Sequence, residues 1–167
     1  HTNSRAGRGI AVAGTGPAFR GAEAPAAGVL DGYAVEEQVG FLLRRAHQRH
    51  VALFLATIGD IELTPRQFTA LIKTIEMGHV TQNQLGRLAA MDPATVQGVV
   101  RRLITRGLLR RMPDPMDRRT AVLTATPEGL AVAARAVACA RRTTEATLSP
   151  LDAGERRHLL TLLRKLA

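Results

Sequence analysis

Cysteine occurs once in the 167 residues, at Cys139; tryptophan is absent, and four Phe and one Tyr are the only aromatics. A lone cysteine excludes an intramolecular disulfide and a thiolate zinc cluster built from one chain, and it fits a reducing cytoplasm. No run of about 18 uninterrupted apolar residues is present to span a bilayer, and the apolar stretch Ile10 to Val12 is too short for the core of a secretory signal. Lysine is scarce too, with Lys73 and Lys165 alone, so the formal net charge of +9 is carried almost wholly by arginine. With 46% hydrophobic residues the chain is too apolar to be wholly disordered, and its length is that of one domain. A soluble globular protein with a polyanionic partner is the class that remains: nucleic acid, an anionic membrane or an acidic protein.

Residues 1–30 are rich in Gly, Ala and Pro and carry no helical or strand period, which reads as a flexible tail ahead of a single domain over 31–167. From Val35 to Ile58, Val39, Leu42, Leu43, Ala46, Leu53 and Phe54 recur at helical spacing and predict one long amphipathic helix ended by Gly59-Asp60. Thr64-Pro65-Arg66-Gln67 is a capping box with proline in the first turn, opening a helix to about Glu76. Thr81 to Gln84 repeats the box before a short third helix. Asp92-Pro93 opens a fourth, whose buried stripe is Val96, Val99, Val100 and Leu103 and whose stop is Gly107. The period then changes, and 108–112 and 120–126 predict a hairpin around the turn residues 113–117. An Ala-rich helix over 127–148 and a last one over 152–166 complete the chain.

Two short helices joined tightly and followed by a hairpin make the plan of a winged helix-turn-helix, a mainly α fold with a small β wing. If the apolar stripe of the fourth helix points inward, Ala94, Gln97, Gly98, Arg101, Arg102 and Thr105 face solvent. Such a face suits a major groove: small residues permit close approach, Gln pairs with adenine, and Arg takes guanine or phosphate. Seven arginines against two aspartates lie between Arg101 and Arg119, so more than half of the net charge falls on this helix and hairpin. The tip Asp117-Arg118-Arg119 has the character of a minor-groove finger, with Asp117 able to orient an arginine. Thr81, Gln82 and Asn83 at a helix start offer donors to a phosphate.

The chain resembles the MarR-type winged-helix regulators. The resemblance covers Tyr33 to Ala167 and rests on Leu63-Thr64-Pro65-Arg66-Gln67-Phe68, on Asn83-Gln84-Leu85-Gly86-Arg87-Leu88 and on Gly107-Leu108-Leu109-Arg110-Arg111. Its most specific piece is Asp114-Pro115-Met116-Asp117-Arg118-Arg119 with Thr126-Pro127-Glu128-Gly129. Ala125 departs from the family's usual Leu and leaves the end of the second wing strand open. The resemblance implies a homodimer, formed by the segments 31–60 and 127–167, in which the winged unit 61–126 binds a pseudo-palindromic double-stranded operator. Carried over by position, Thr95, Gln97, Gly98, Arg101 and Arg102 read the major groove while Arg118 and Arg119 enter the minor groove. Amphipathic helices at both ends of so small a winged unit are independently suited to burial against a second copy.

Members of this family respond to small aromatic acids. His50 lies in the middle of the first helix's apolar stripe and needs a polar partner, which is either a hydrogen bond within the protein or an effector. In the second case Arg45, His47, Arg49, His50 and Phe54 form one wall of a ligand site, with Phe68 and Ile72 as the other. The run Val39 to His50, with Gln84 to Asp92, is similar to a branch of the family that represses aromatic-acid catabolism. That similarity implies 6-hydroxynicotinate or a hydroxycinnamoyl-CoA thioester as effector. Cys139 on an Ala-rich helix reads as packing, with redox sensing as the alternative. Histidines 47, 50, 79 and 158 lack metal-ligand spacing, no cofactor is called for, and no hydrolase or phosphate-loop motif is present to support an enzyme. A basic module without sequence preference, for DNA or for protein, is the remaining rival.

Overall fold

The computed structural model describes residues 30–114, 116–117 and 119–167; the tail 1–29, Pro115 and Arg118 lie outside the described residues. A 3₁₀ turn at Val35–Glu37 precedes α1 (Val39–Ile58). One helix from Val35 is thereby corrected: Gln38 adopts extended angles and its Nε2 donates to the carbonyl of Ala34 at 3.0 Å, so helical geometry begins only at Val39. After a second 3₁₀ turn (Gly59–Ile61) come α2 (Pro65–Met77), α3 (Gln82–Leu88), α4 (Pro93–Thr105), β1 (Leu109–Pro113), β2 (Ala121–Ala125), α5 (Pro127–Leu148) and α6 (Ala153–Leu166). This mainly helical architecture with one antiparallel hairpin is the winged helix-turn-helix that the sequence predicts.

The starts follow from local chemistry. The Thr64 and Thr81 hydroxyls accept from the backbone N–H of Gln67 and Gln84, and both glutamines return a bond to the cap residue, so both capping boxes close. Asp92 and Thr126 cap α4 and α5, each with proline in the first turn. At the end of α4, Gly107 takes φ +71°, a left-handed turn that costs glycine little. The next residue, Leu108, then donates its N–H to the carbonyl of Leu103 at 2.9 Å while its own carbonyl accepts from the N–H of Thr126 at 3.1 Å. Both of its backbone groups thus serve helix ends, and this delays β1 by one residue, to Leu109.

The hairpin pairs Leu109 with Ala125 and Pro113 with Ala121. Ala125 therefore closes the second strand despite its departure from the family pattern. Val80, ahead of α3, adds an antiparallel bridge to Leu123. Leu71, Leu85, Val96, Val100, Leu103, Leu109 and Leu123 fill the core between α2, α3, α4 and the hairpin. Each such side chain contributes about 1.5 to 3 kcal/mol on burial. Phe54 and Ile58 from α1, and Val132, Ala133 and Ala136 from α5, extend the same core. The outer half of α1 differs: Val39, Leu42 and Leu43 are exposed, and α6 buries no residue although Leu160, Leu162, Leu163 and Leu166 are apolar.

Gly129 sits where α5 passes the turn after α4, and a Cβ there would clash with the carbonyl oxygen of Leu108. Backbone cannot yield as a flexible side chain does, so Gly129→Ala should lower the unfolding free energy by about 1 to 3 kcal/mol. A urea midpoint equal to that of the unsubstituted protein would count against this packing.

Candidate nucleic-acid interface and effector cleft

The face of α4 is set by its interior. With Val96, Val99, Val100 and Leu103 buried, Ala94, Gln97, Arg101, Arg102 and Thr105 are exposed and Gly98 is half-exposed. No heavy atom lies within 4 Å of where a Gly98 Cβ would stand. Thr95 is placed differently: its hydroxyl donates to Asp92 Oδ2 at 2.6 Å, and its backbone N–H to Asp92 Oδ1 at 2.9 Å. Those bonds hold the Asp92 carboxyl below its ordinary pKa, the side-chain bond from Thr95 being the largest cause. Thr95 is thus part of the cap, with its proton already donated.

Thr81 is engaged in the same manner, donating to Gln84 Oε1 at 3.0 Å. The Gln82 amide oxygen accepts from Arg111 Nη2 at 2.8 Å, which ties the wing to the start of α3; Asn83 is exposed. Arg111 was not singled out by sequence reasoning. Its signal was strand alternation, since Leu109, Arg111 and Leu123 share the inner face of the hairpin. At the wing tip, Asp117 Oδ1 accepts from the backbone N–H of Arg119 at 3.0 Å and Oδ2 from the Thr120 hydroxyl at 2.9 Å. Asp117 therefore orders the turn that presents Arg119, whose side chain is exposed. Arg118 lies outside the described residues.

Arg106, just past α4, donates to the carbonyls of Ile61 at 2.8 Å and Glu62 at 2.9 Å. The end of α4 is thereby tied to the turn that follows α1. That turn is itself linked to α5 by a 2.7 Å ion pair between Asp60 and Arg135.

The seven residues expected to form a ligand site do not converge. Phe54 is buried and its ring meets that of Phe68 with centroids 5.5 Å apart, while Phe68 and Ile72 pack onto the core. Arg45 lies over the ring of Phe41. Arg49 donates to the carbonyls of Thr147 and Ala146 at the end of α5, where a guanidinium also complements the helix dipole. His50 is half-buried with Nδ1 2.9 Å from the Thr147 hydroxyl. That hydroxyl gives its one proton to the carbonyl of Thr143, so Nδ1 must be the donor. Of the seven, His47 alone lines a cleft of about 530 Å³ between α1, α2 and α4. Thr64 and Arg66 from the start of α2, and Ala94, Gly98 and Arg102 from α4, line it as well, over an apolar floor of Val51, Pro65 and Val99. Arg66 was read from sequence only as part of a capping box.

Cys139 is buried, with Arg142 Nη2 3.2 Å from its sulfur. Among the described residues no cluster of three or more His, Cys, Asp or Glu could hold a metal, and no helix is long and apolar enough to cross a membrane.

Residues 61–120 match the MarR family model. Over 134 residues, 80% of this chain and 85% of the relative, the sequence is 42% identical to the HTH-type transcriptional repressor NicR of Pseudomonas putida. The chain belongs to the MarR family. A solved structure with 43% identity, that of Bordetella bronchiseptica BpsR in a study of how 6-hydroxynicotinic acid regulates its DNA binding, superposes with TM-score 0.76 over 80% of this chain and 96% of that one. The repressor CouR bound to a 23-mer DNA duplex is 29% identical, with TM-score 0.73 over 78% and 93%. In this MarR-family chain α4 is the second helix of the helix-turn-helix and leads into the wing.

Two outcomes follow from the geometry. Gly98→Ala should raise stability by about 0.5 to 1 kcal/mol, since the helix gains a better former with open space around it, while weakening operator binding if close approach to the groove is needed there. Urea unfolding and DNA titration of the one variant should therefore move in opposite senses. Second, burial and, to a lesser degree, the neighbouring His47 lower the pKa of His50 from its ordinary 6.5. Its neutral form is thus favoured by folding: the contribution is fully present above pH 6.5 and is lost as pH falls through the lower folded value. Urea midpoints measured from pH 8 to pH 5 should fall at the acid end, and His50→Asn, which keeps a donor to Thr147, should flatten that fall.

Proposed function

We propose that this chain is a homodimeric, ligand-released transcriptional repressor acting in the cytoplasm, a regulator rather than an enzyme. The segments 31–60 and 127–167 would join two copies by covering the exposed apolar residues of α1 and α6, and the unit 61–126 reads a pseudo-palindromic operator. Ala94, Gln97, Gly98, Arg101 and Arg102 face the major groove; Arg119 with Arg118 enters the minor groove. Thr81, Gln82 and Asn83 lie toward the backbone, where Gln82 and Arg111 act together. The effector is a small aromatic acid such as 6-hydroxynicotinate, the compound named for BpsR.

The observation that carries the effector reading is that the recognition helix forms a wall of the cleft. Arg66 and Arg102, which line it, would take a carboxylate, and the lining residues Val51, Pro65 and Val99 a ring. A ligand held there draws Arg102 from DNA and fixes α4 at an angle that no longer serves two successive major grooves. Moving occupancy from 99:1 to 1:99 needs about 5.5 kcal/mol of differential binding, within reach of a few charge-assisted hydrogen bonds and a buried ring.

The test is a competition titration of the protein on its own upstream intergenic DNA against random duplex, with and without 6-hydroxynicotinate or p-coumaroyl-CoA. Specific binding released by the acid is expected. Equal weak binding to both duplexes, falling steeply with salt and indifferent to either compound, would instead mark a basic module without specificity. Release by the thioester alone would move the effector to the acyl-CoA class. Arg66→Ala should leave operator affinity nearly unchanged and weaken the acid's effect by about 10- to 100-fold, the value of one lost charge-assisted bond; an unaltered response would remove Arg66 from the site.

A further inference from the structure

A second recess, of about 290 Å³, opens against the C-terminal half of α4 and is lined by Glu62, Gln67, Arg101, Arg102, Thr105 and Arg106. Gln67 is the unusual member. It is only 6% exposed, and its Oε1 accepts the backbone N–H of Thr64 at 2.9 Å to close the cap of α2. The opposite end of the same amide, the NH₂ group, donates to no acceptor among the described residues. Among the described residues no sealed side-chain nitrogen or oxygen lacks a partner, so this NH₂ is not enclosed in the core, and Gln67 lines the recess. A buried amide with one end fixed by a helix cap has two donors held in a set direction and nothing to receive them.

The rest of the lining is of the same polarity. Arg101 and Arg102 have no acceptor within the described protein, and Thr105 adds a hydroxyl. The charge of Arg106 is present although its two terminal nitrogens hold the Ile61 and Glu62 carbonyls. Glu62 is the one acid, against three guanidinium groups. A recess that offers donors and positive charge selects a compact oxyanion with acceptors on every side. We propose that this recess is a phosphate-binding site anchored by the Gln67 amide, distinct from the effector cleft in its Gln67 anchor although Arg102 borders both. The phosphate comes either from the backbone of bound DNA or from a free phosphorylated molecule, and the chemistry is the same in both cases.

The side-chain amide resonance of Gln67 in the ¹⁵N-labelled, unsubstituted protein tests this directly, without any substitution that endangers the fold. At constant ionic strength, inorganic phosphate exchanged for chloride should shift it saturably if free phosphate is the ligand. Duplex DNA should shift it, with inorganic phosphate inert, if the backbone is the source. Gln67→Glu retains an oxygen for the Thr64 N–H, and so the capping box, while replacing the NH₂ by an acceptor that repels the anion. In the unsubstituted protein the backbone amides of Thr105 and Arg106, which line the recess, should shift with the Gln67 signal; in the variant their response to inorganic phosphate should be lost or, for the backbone source, operator and random duplex should both bind about tenfold more weakly with a salt slope reduced by about one unit. A Gln67 signal indifferent to both ligands, or one that moves equally with chloride, overturns the proposal. So does a folded Gln67→Glu variant that binds phosphate and DNA as the unsubstituted protein does.

Discussion

The thirteen residues of α4 are held by one face and leave the other to solvent, and the rest of the molecule is arranged around that division. Val96, Val99, Val100 and Leu103 occupy the interior, which leaves no rotation of the helix that would hide Gln97 or Arg101 without exposing four β-branched or aliphatic side chains. Exposing them would forfeit about 1.5 to 3 kcal/mol each, enough to make the outward face as fixed as the core itself. The positions that face solvent are therefore determined by burial, and their chemistry is free to serve recognition.

Fixing rotation does not fix tilt. Tilt is governed where the two ends of α4 meet their neighbours. Toward the N-terminus α4 borders the open cleft with His47, Thr64 and Arg66; at its other end Arg106 is tied by two hydrogen bonds to the turn between α1 and α2. The C-terminal end is thus clamped, while the cleft and the second recess flank the helix along much of its length. Through Asp60 and Arg135 the clamped end is continuous with α5, and through the chain itself with α1.

Legibility divided along the same physical line. Caps, breakers and buried stripes are local, and they were read correctly: both capping boxes, the proline starts of α2, α4 and α5, and the four inward residues of α4 stand as the spacing predicts. The one-residue shift of β1 was not local, because it depends on Leu108 bonding to Leu103 and to Thr126 at once. The ligand set scattered for a similar reason. Helical spacing places Arg49 and His50 on α1 but does not say that the end of α5 lies opposite, where the Ala146 and Thr147 carbonyls and the Thr147 hydroxyl engage them. Arg66 and Gln67 were visible only as cap residues, since nothing in a sequence shows that a cap borders two recesses.

The electrostatic pattern explains why so basic a surface can stay available. The three ion pairs among the described residues, Lys73 with Glu76, Arg135 with Asp60 and Arg156 with Glu145, include no residue of α4 or of the wing. Arginines in the interface are held by neutral acceptors instead: Arg106 by carbonyls, Arg110 by the Thr124 hydroxyl, Arg111 by the Gln82 amide. The acids nearby are occupied by neutral donors, Asp114 by the N–H of Met116, Asp117 by the N–H of Arg119 and the hydroxyl of Thr120, and Asp92 by Thr95. A guanidinium positioned by a neutral oxygen keeps its full charge for a phosphate, whereas one paired with a carboxylate would have to break that pair or carry the carboxylate toward the polyanion. Placement by neutral partners thus orients the side chains without subtracting from the counterion release that drives association with DNA.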